Sequence, residues 1–280
     1  MQDVGVEPIE EFLLKHELLP LAWEASVEAA RFLRDERPRD LVIESKSTPV
    51  DAVTEMDRGA ELRLVQSLLG ARSTDGFLGE EGGERLGTSG VRWVVDPLDG
   101  TVNYLYRLPM WSVSVAAEVH EESVLGIVIV PEFDEAYVGI KGAGAWLIRH
   151  ALTDPSWVEQ LHVRECVEVS AAMVATGFGY SAQRRQEQAA VVLSLSGQVR
   201  DFRRMGCATV DFCWLARGRL DAYYERGLNR WDVAAGSLIA AEAGAIITGL
   251  WGDSPHEETM VAAVPGIAAP MRALLQRVHG

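Results

Sequence analysis

Two unlike halves, an α+β lobe over residues 1–152 and an α/β lobe over residues 153–280, are what the sequence predicts for this 280-residue chain. Three observations predict them. Residues 10–33 and 54–69 place apolar side chains at helical spacing. Residues 111–140 form β-branched runs separated by turn residues, and from residue 167 strand and helix patterns alternate. The polar segment from Arg149 to Ser156 lies between the last two patterns and marks the boundary.

Taken in order, Phe12, Leu13, Leu18, Leu21, Trp23, Val27 and Ala30 make the first helical face, with Pro20 as a break or a fresh helix start. Lys46-Ser47-Thr48-Pro49-Val50-Asp51 is a polar loop. Thr54-Glu55-Met56-Asp57 has the form of a capping box ahead of Leu62, Val65, Leu68 and Leu69, which predicts a helix over 54–69. Trp93-Val94-Val95 then ends abruptly in Asp96-Pro97-Leu98-Asp99-Gly100-Thr101, the pattern of a buried strand delivering two acids into a tight turn. Gly100-Thr101 can open a short helix that Arg107-Leu108-Pro109 closes. Strands over 111–119, 124–130 and 136–140 read as an antiparallel meander. In the second half the pattern predicts strands over 167–169, 173–175, 220–224 and 260–264. It predicts helices over 184–195, 206–217, 231–243 and 270–278, with Gly218 and Gly244 as stops.

Composition narrows the partners. Twenty-six Lys and Arg against 41 Asp and Glu leave a formal charge of -15, which argues against a nucleic acid held along its backbone. A small phosphorylated molecule stays open, because a bound divalent cation reverses the local field. The sequence has no apolar run of about 18 residues to predict a membrane span, and Met1 to Glu11 has neither the basic flank nor the apolar stretch of a secretory signal. The cytoplasm is therefore the expected compartment. Cys166, Cys207 and Cys213 lack CxxC spacing and are expected to be reduced and packed.

Asp96 and Asp99, held close together, repel unless a hard cation such as Mg²⁺ neutralises them. The N–H groups at a helix start beside them suit phosphate oxygens. Glu80-Glu81, in a glycine-rich bend, reads either as an exposed acidic turn or as a further oxygen supply. Asp57 and Asp232 each read as a helix cap, alone or in combination with a second role.

Glu80-Glu81, then Asp96-Pro97-Leu98-Asp99-Gly100-Thr101-Val102-Asn103, then Trp231-Asp232-Val233-Ala234-Ala235-Gly236 resemble, in that order, the signature set of the inositol monophosphatase family. The likeness extends to Lys46–Asp57, Gly206-Cys207-Ala208 and Asp221-Ala222-Tyr223-Tyr224-Glu225. It implies a layered αβαβα sandwich of the sugar-phosphatase type with the active site between the halves. It also implies a homodimeric, lithium-sensitive phosphomonoesterase using two or three Mg²⁺ ions on myo-inositol monophosphate. By the same resemblance Glu80, Asp96 and the Leu98 carbonyl hold the first ion, Asp96, Asp99 and Asp232 the second, and Glu80 helps a weaker third. Thr101 and Asp57 orient and help deprotonate the attacking water, with Glu80 also placed in the catalytic set. Gly100 and Thr101 hold phosphate oxygens, while Asp99, Cys207, Ala208, Glu225 and Asp232 bound the substrate pocket, Cys207 as a small wall and not a nucleophile.

Related enzymes of this superfamily act on histidinol phosphate, fructose 1,6-bisphosphate or 3'-phosphoadenosine 5'-phosphate. The last two call for more basic or larger pockets, and the cations nearest the motifs are Arg203, Arg204, Arg226 and Arg230. Leu228, Asn229 and Arg230 leave the exact substrate open. A non-catalytic regulatory protein is the weaker alternative, since every metal-ligand position carries its acid.

Overall fold

The computed structural model describes residues 8–39, 43–45, 52–155, 157–252 and 259–279, so the polar loop at 46–51 lies outside the described residues. In chain order the first part runs α1 (Ile9–Phe12), α2 (Leu19–Asp35), β1 (Ile43–Ser45), β2 (Ala52–Thr54), α3 (Glu55–Ala71), β3 (Gly76–Gly79), β4 (Gly83–Arg85) and β5 (Val91–Asp99). Then come α4 (Thr101–Leu105), β6 (Ser112–Val119), β7 (Glu122–Val130), β8 (Glu135–Ile140), β9 (Gly144–Arg149) and β10 (Trp157–Gln160). The rest is β11 (Met173–Thr176), α5 (Ala182–Leu195), β12 (Asp201–Arg203), α6 (Ala208–Ala216), β13 (Ala222–Glu225), α7 (Arg230–Glu242), β14 (Ile246–Thr248), β15 (Met260–Ala263) and α8 (Pro265–His279).

Eight strands form one sheet in the order β10-β9-β8-β7-β6-β5-β3-β4, antiparallel except where β3 lies parallel to β5. Five form a second, β12-β11-β13-β15-β14, whose first three strands are parallel. Side-chain alternation explains the layering. Trp93, Val95, Val113, Val115, Ile127 and Ile129 pack with α2 and α3 on one face of the large sheet. Val94, Ala116, Val128 and Tyr137 pack on the other with Val210 and Cys213 of α6 and with Ala234, Ala235 and Ile239 of α7. A separate core joins the five-stranded sheet to α5 and α8. The result is the expected αβαβα sandwich, with α6 and α7 as its middle layer.

That middle layer is seated by two glycines. A Cβ on Gly126 would lie 2.8 Å from the Ala235 carbonyl oxygen, and one on Gly139 would lie 2.9 Å from the Ile239 Cα. The backbone of α7 therefore rests directly on β7 and β8. Gly126→Ala is expected to cost about 1–3 kcal/mol by overpacking, read as a lower melting temperature, and to shift the helix that carries Asp232.

Some expectations need correction. Residues 167–169 are not a strand; Val169–Ala171 is a 3-10 turn, and Val167 is 78% exposed, so its apolar-polar-apolar pattern has no buried face to serve. The last helix starts at Pro265 and runs through Pro270, because Ile267, Met271, Leu274 and Leu275 continue one buried stripe across it. The polar segment after Arg149 does not end the large sheet: β10 pairs antiparallel with β9, so that sheet reaches past residue 152.

Candidate active site

The centre of the site is an irregularity in β5. Asp96 pairs with Ser114 and Asp99 with Ser112, so Pro97 and Leu98 together oppose Val113 alone. Proline has no N–H for the ladder, which suits a bulge there. Residues three apart on a regular strand face opposite sides. The extra residue brings Asp96 and Asp99 to the same side, the one covered by α6 and α7.

Each carboxylate is aimed by a short polar contact. The Asp96 Oδ1 accepts the Leu98 N–H at 3.0 Å. The Asp99 Oδ2 accepts both the N–H and the hydroxyl of Thr209, at 2.8 and 2.7 Å. Thr209 in turn is tied to Ser112 at 2.6 Å. From α7, Asp232 closes a capping box by accepting the Asn229 N–H on Oδ2 at 2.6 Å. Glu80 stands at the end of β3, in a bend held by Glu61 of α3, whose Oε2 accepts the Glu81 N–H at 2.9 Å.

After the bulge, Gly100 takes φ +88°, and a Cβ there would meet the Met110 carbonyl oxygen at 2.7 Å, so the turn into α4 needs glycine. Thr101 follows. Its Oγ1 lies 2.9 Å from Asp57 Oδ1 and 3.0 Å from the Leu98 carbonyl oxygen. Asp57 uses its other oxygen, Oδ2, to accept the Thr54 N–H at 2.8 Å and the Thr54 hydroxyl at 2.5 Å. It is thus both cap and partner of Thr101.

Burial and mutual repulsion raise the proton affinity of these acids. Burial raises Asp96 well above the usual carboxylate range, reinforced by Glu80, Asp99 and Asp232. Burial likewise raises Asp232, with Asp99 and Glu80 adding to it. Asp99 is raised by burial and pulled back by Thr209. Among the described residues no three His, Cys, Asp or Glu side chains are drawn together closely enough to cage an ion as they stand. The donor set is oxygen only, which fits a hard divalent cation and not a soft one.

A cavity of about 610 Å³ opens at this point, bounded by Glu80 and residues 99–102 from the large-sheet side and by Gly206, Cys207, Ala208, Glu225 and Asp232 from the other. A hollow of about 620 Å³ on the outer side of α2 is as large but contains none of these groups. Burial pushes the Cys207 thiol well up, helped by Asp99, and it points to the Asp99 carbonyl at 3.5 Å; it is a wall. Burial also pushes Glu225 up to about 7, against the Tyr223 hydroxyl that donates to it at 2.6 Å.

The sequence reading missed Thr209, Glu61 and Asp211. Asp211 lies fully inside α6 with Oδ1 unpartnered among the described residues, its acidity suppressed by burial and then by Glu225. The cations also differ from those expected. Arg204 and Arg226 line the cavity, but Arg203 is drawn to Asp201 and Arg230 to Glu118, while Arg184 and Arg185 enter from α5.

The profile of the inositol monophosphatase family matches residues 14–279. The chain is 39% identical to the inositol-1-monophosphatase of Mycobacterium bovis, over 94% of each chain. It is 35% identical to the Nus factor SuhB of Pasteurella multocida, over 83% of this chain and 85% of that one. The solved extragenic suppressor protein suhB from Bartonella henselae superposes with a TM-score of 0.85 at 30% identity, covering 94% of this chain and 99% of that one. Fold, site and likeness together define a phosphoric monoester hydrolase. The chain belongs to the inositol monophosphatase family, a metal-dependent phosphatase family.

Proposed function

We propose that this chain hydrolyses myo-inositol monophosphate to inositol and phosphate with two or three Mg²⁺ ions. The observation that carries the reading is the β5 bulge, which turns Asp96 and Asp99 to one side, toward Asp232, beside the Thr101–Asp57 pair. Glu80, Asp96 and the Leu98 carbonyl would hold one ion, Asp96, Asp99 and Asp232 a second, and Glu80 would assist a third. When bound, such ions activate water and neutralise charge on the phosphate and leaving oxygen. The chain's own groups do the positioning. Thr101 accepts a proton from the attacking water as its own passes to Asp57, and the Gly100 and Thr101 N–H groups meet phosphate oxygens. The water oxygen bonds to phosphorus while the ester P–O bond on the far side breaks. Glu225 accepts hydrogen bonds from ring hydroxyls, beside Cys207 and Ala208.

The two-lobe division is part of this reading, with acids from both lobes and β10 counted with the first. So are a homodimer, lithium inhibition and a cytoplasmic setting; no helix among the described residues is long and apolar enough to cross a membrane. Sedimentation would test the dimer.

Phosphate release with Mg²⁺ is the deciding assay, run on inositol 1-phosphate, histidinol phosphate, fructose 1,6-bisphosphate and 3'-phosphoadenosine 5'-phosphate. No release from any inositol phosphate would sink the proposed substrate. Glu225 adds a pH signature. As pH falls through about 7 its carboxylate gains a proton and loses an acceptor for ring hydroxyls. KM for inositol 1-phosphate should rise on that side, and Glu225→Gln should flatten the rise while raising KM at pH 8 by roughly tenfold.

A further inference from the structure

The loop that carries Glu80 is folded around a side chain from another element. β3 and β4 form a hairpin whose last ladder pair is Gly79 with Gly83, so Glu80, Glu81 and Gly82 are its loop, and Gly83 takes φ +74° to close it. Glycines at 79, 82 and 83 leave such a loop adaptable, and the ladder stops short of Glu80. Glu61 of α3, 5% exposed, supplies what is missing. Its Oε2 accepts the Glu81 N–H at 2.9 Å. A Cβ on Gly79 would overlap that same Oε2, and one on Gly82 would lie 2.6 Å from Oε1. The carboxylate fills the space that the two glycines leave, with one oxygen toward each end of the loop. A buried carboxylate is a costly way to close a hairpin, and loops of this length close without one.

Register makes the placement count. β3 runs parallel to β5 with Gly79 beside Val95, so the next step along the two strands sets Glu80 beside Asp96. After burial, Glu80 is the largest influence that raises the proton affinity of Asp96. Asp57 and Glu61 lie one turn apart among the buried residues of α3, so this helix holds both the partner of Thr101 and the seat of the Glu80 loop.

We infer that Glu61 is a positioning residue for the first metal ion: its carboxylate is the template on which the Glu80 loop is folded, so that Glu80 meets the ion at the place that Asp96 and the Leu98 carbonyl define. The inference rests on the metal-dependent reading of the site and adds to it a group that acts through Glu80. Glu61 can favour a cation in two separable ways, by its charge and by its fit between Gly79 and Gly82. The fit is what the inference concerns.

Mn²⁺, which takes the same oxygen ligands as Mg²⁺, reports binding without turnover through the electron paramagnetic resonance signal of the free ion. Glu61→Gln removes the charge and disturbs the fit. Gly82→Ala keeps the charge and displaces the Glu61 carboxylate by its new methyl group, at an exposed position with no positive φ to strain. Each variant, checked for native melting in chelator, should bind its tightest Mn²⁺ about 10–100-fold more weakly than the native protein. The double variant should lose less than the product of the two, because both act through one contact. In phosphate release the Mg²⁺ concentration for half activity should rise in parallel, and most of the lost rate should return at saturating Mg²⁺. Native Mn²⁺ affinity in Glu61→Gln would overturn the inference. Weak binding in Glu61→Gln with native binding in Gly82→Ala would overturn it too, since charge alone would then be at work. A native protein that binds no Mn²⁺ would bring down the metal reading itself, and this inference with it.

Discussion

Asp96→Asn is expected to lower phosphate release by at least about a thousandfold and, in the same protein, to raise the melting temperature measured in chelator. The two effects have one cause. Asp96 is 2% exposed and faces Glu80, Asp99 and Asp232, which together with burial raise its proton affinity well above the ordinary carboxylate value. A group that holds its proton more tightly folded than unfolded costs nothing while both states are protonated. As pH rises past the unfolded pKa, the unfolded chain releases its proton first, and stability falls until the folded group has released its own. Asparagine has nearly the same shape, can still accept the Leu98 N–H, and removes that charge. Its stabilising effect in chelator should therefore be small at pH 4 and grow toward pH 8, where a gain of about 1 kcal/mol corresponds to roughly 2–4 °C. Adding Mg²⁺ should stabilise the native protein and leave the variant nearly unmoved. Thermal melts at pH 4 and 8 with and without Mg²⁺, beside a phosphate-release assay, measure all of this. Undiminished hydrolysis in Asp96→Asn would remove the two-ion assignment.

The contrast between a legible motif and an illegible shell follows from where the partners come from. Asp96, Asp99, Gly100 and Thr101 are contiguous, so strand pattern and turn residues place them together. What the spacing does not say is that Asp96 and Asp99 share a side; regular alternation would separate them, and only the pairing with Ser112 and Ser114 reveals the bulge. Thr209 and Glu61 were invisible for a related reason. Each serves a group distant in sequence, at 110 and 20 residues, and nothing local distinguishes a threonine in an apolar helix from a packing residue. Arg184 and Arg185 fall in a segment that the sequence reads only as a helix over 184–195, and nothing local says that the start of α5 lies against the cavity. Among the strands, β12 and β14 have three residues each, too short for alternation to register, and β3 is set by its parallel register with β5, a long-range fact. The helices fared better because their signals are local: Thr54 and Asp57 form the capping box that the sequence predicts, and Gly218 and Gly244 take positive φ at the ends of α6 and α7.

Thr101→Val carries the second large effect, a fall in kcat of about a hundredfold to ten-thousandfold, and it resolves the double role of Asp57. Removing Asp57 itself would confound two losses, since its Oδ2 caps α3 through Thr54 while its Oδ1 faces Thr101. Valine at 101 leaves the cap intact and keeps the side-chain volume. A hydroxyl has one proton to donate and can accept on its lone pairs. With Asp57 and the Leu98 carbonyl at 2.9 and 3.0 Å, the Thr101 proton has two acceptors, and in the proposed mechanism the oxygen is left to accept from water. Burial raises Asp57 above its usual value, so it is a stronger base for that proton than an exposed carboxylate. In Thr101→Val the water loses its acceptor and Asp57 Oδ1 loses its donor. Melting should change by about 1–2 kcal/mol, the cost of one partly buried hydrogen bond, far less than the change in rate. Thr101→Ser should restore most of kcat, because it returns the hydroxyl without the methyl group. A serine variant as slow as the valine one would show that Thr101 acts by packing, and that the proton leaves the water by another route.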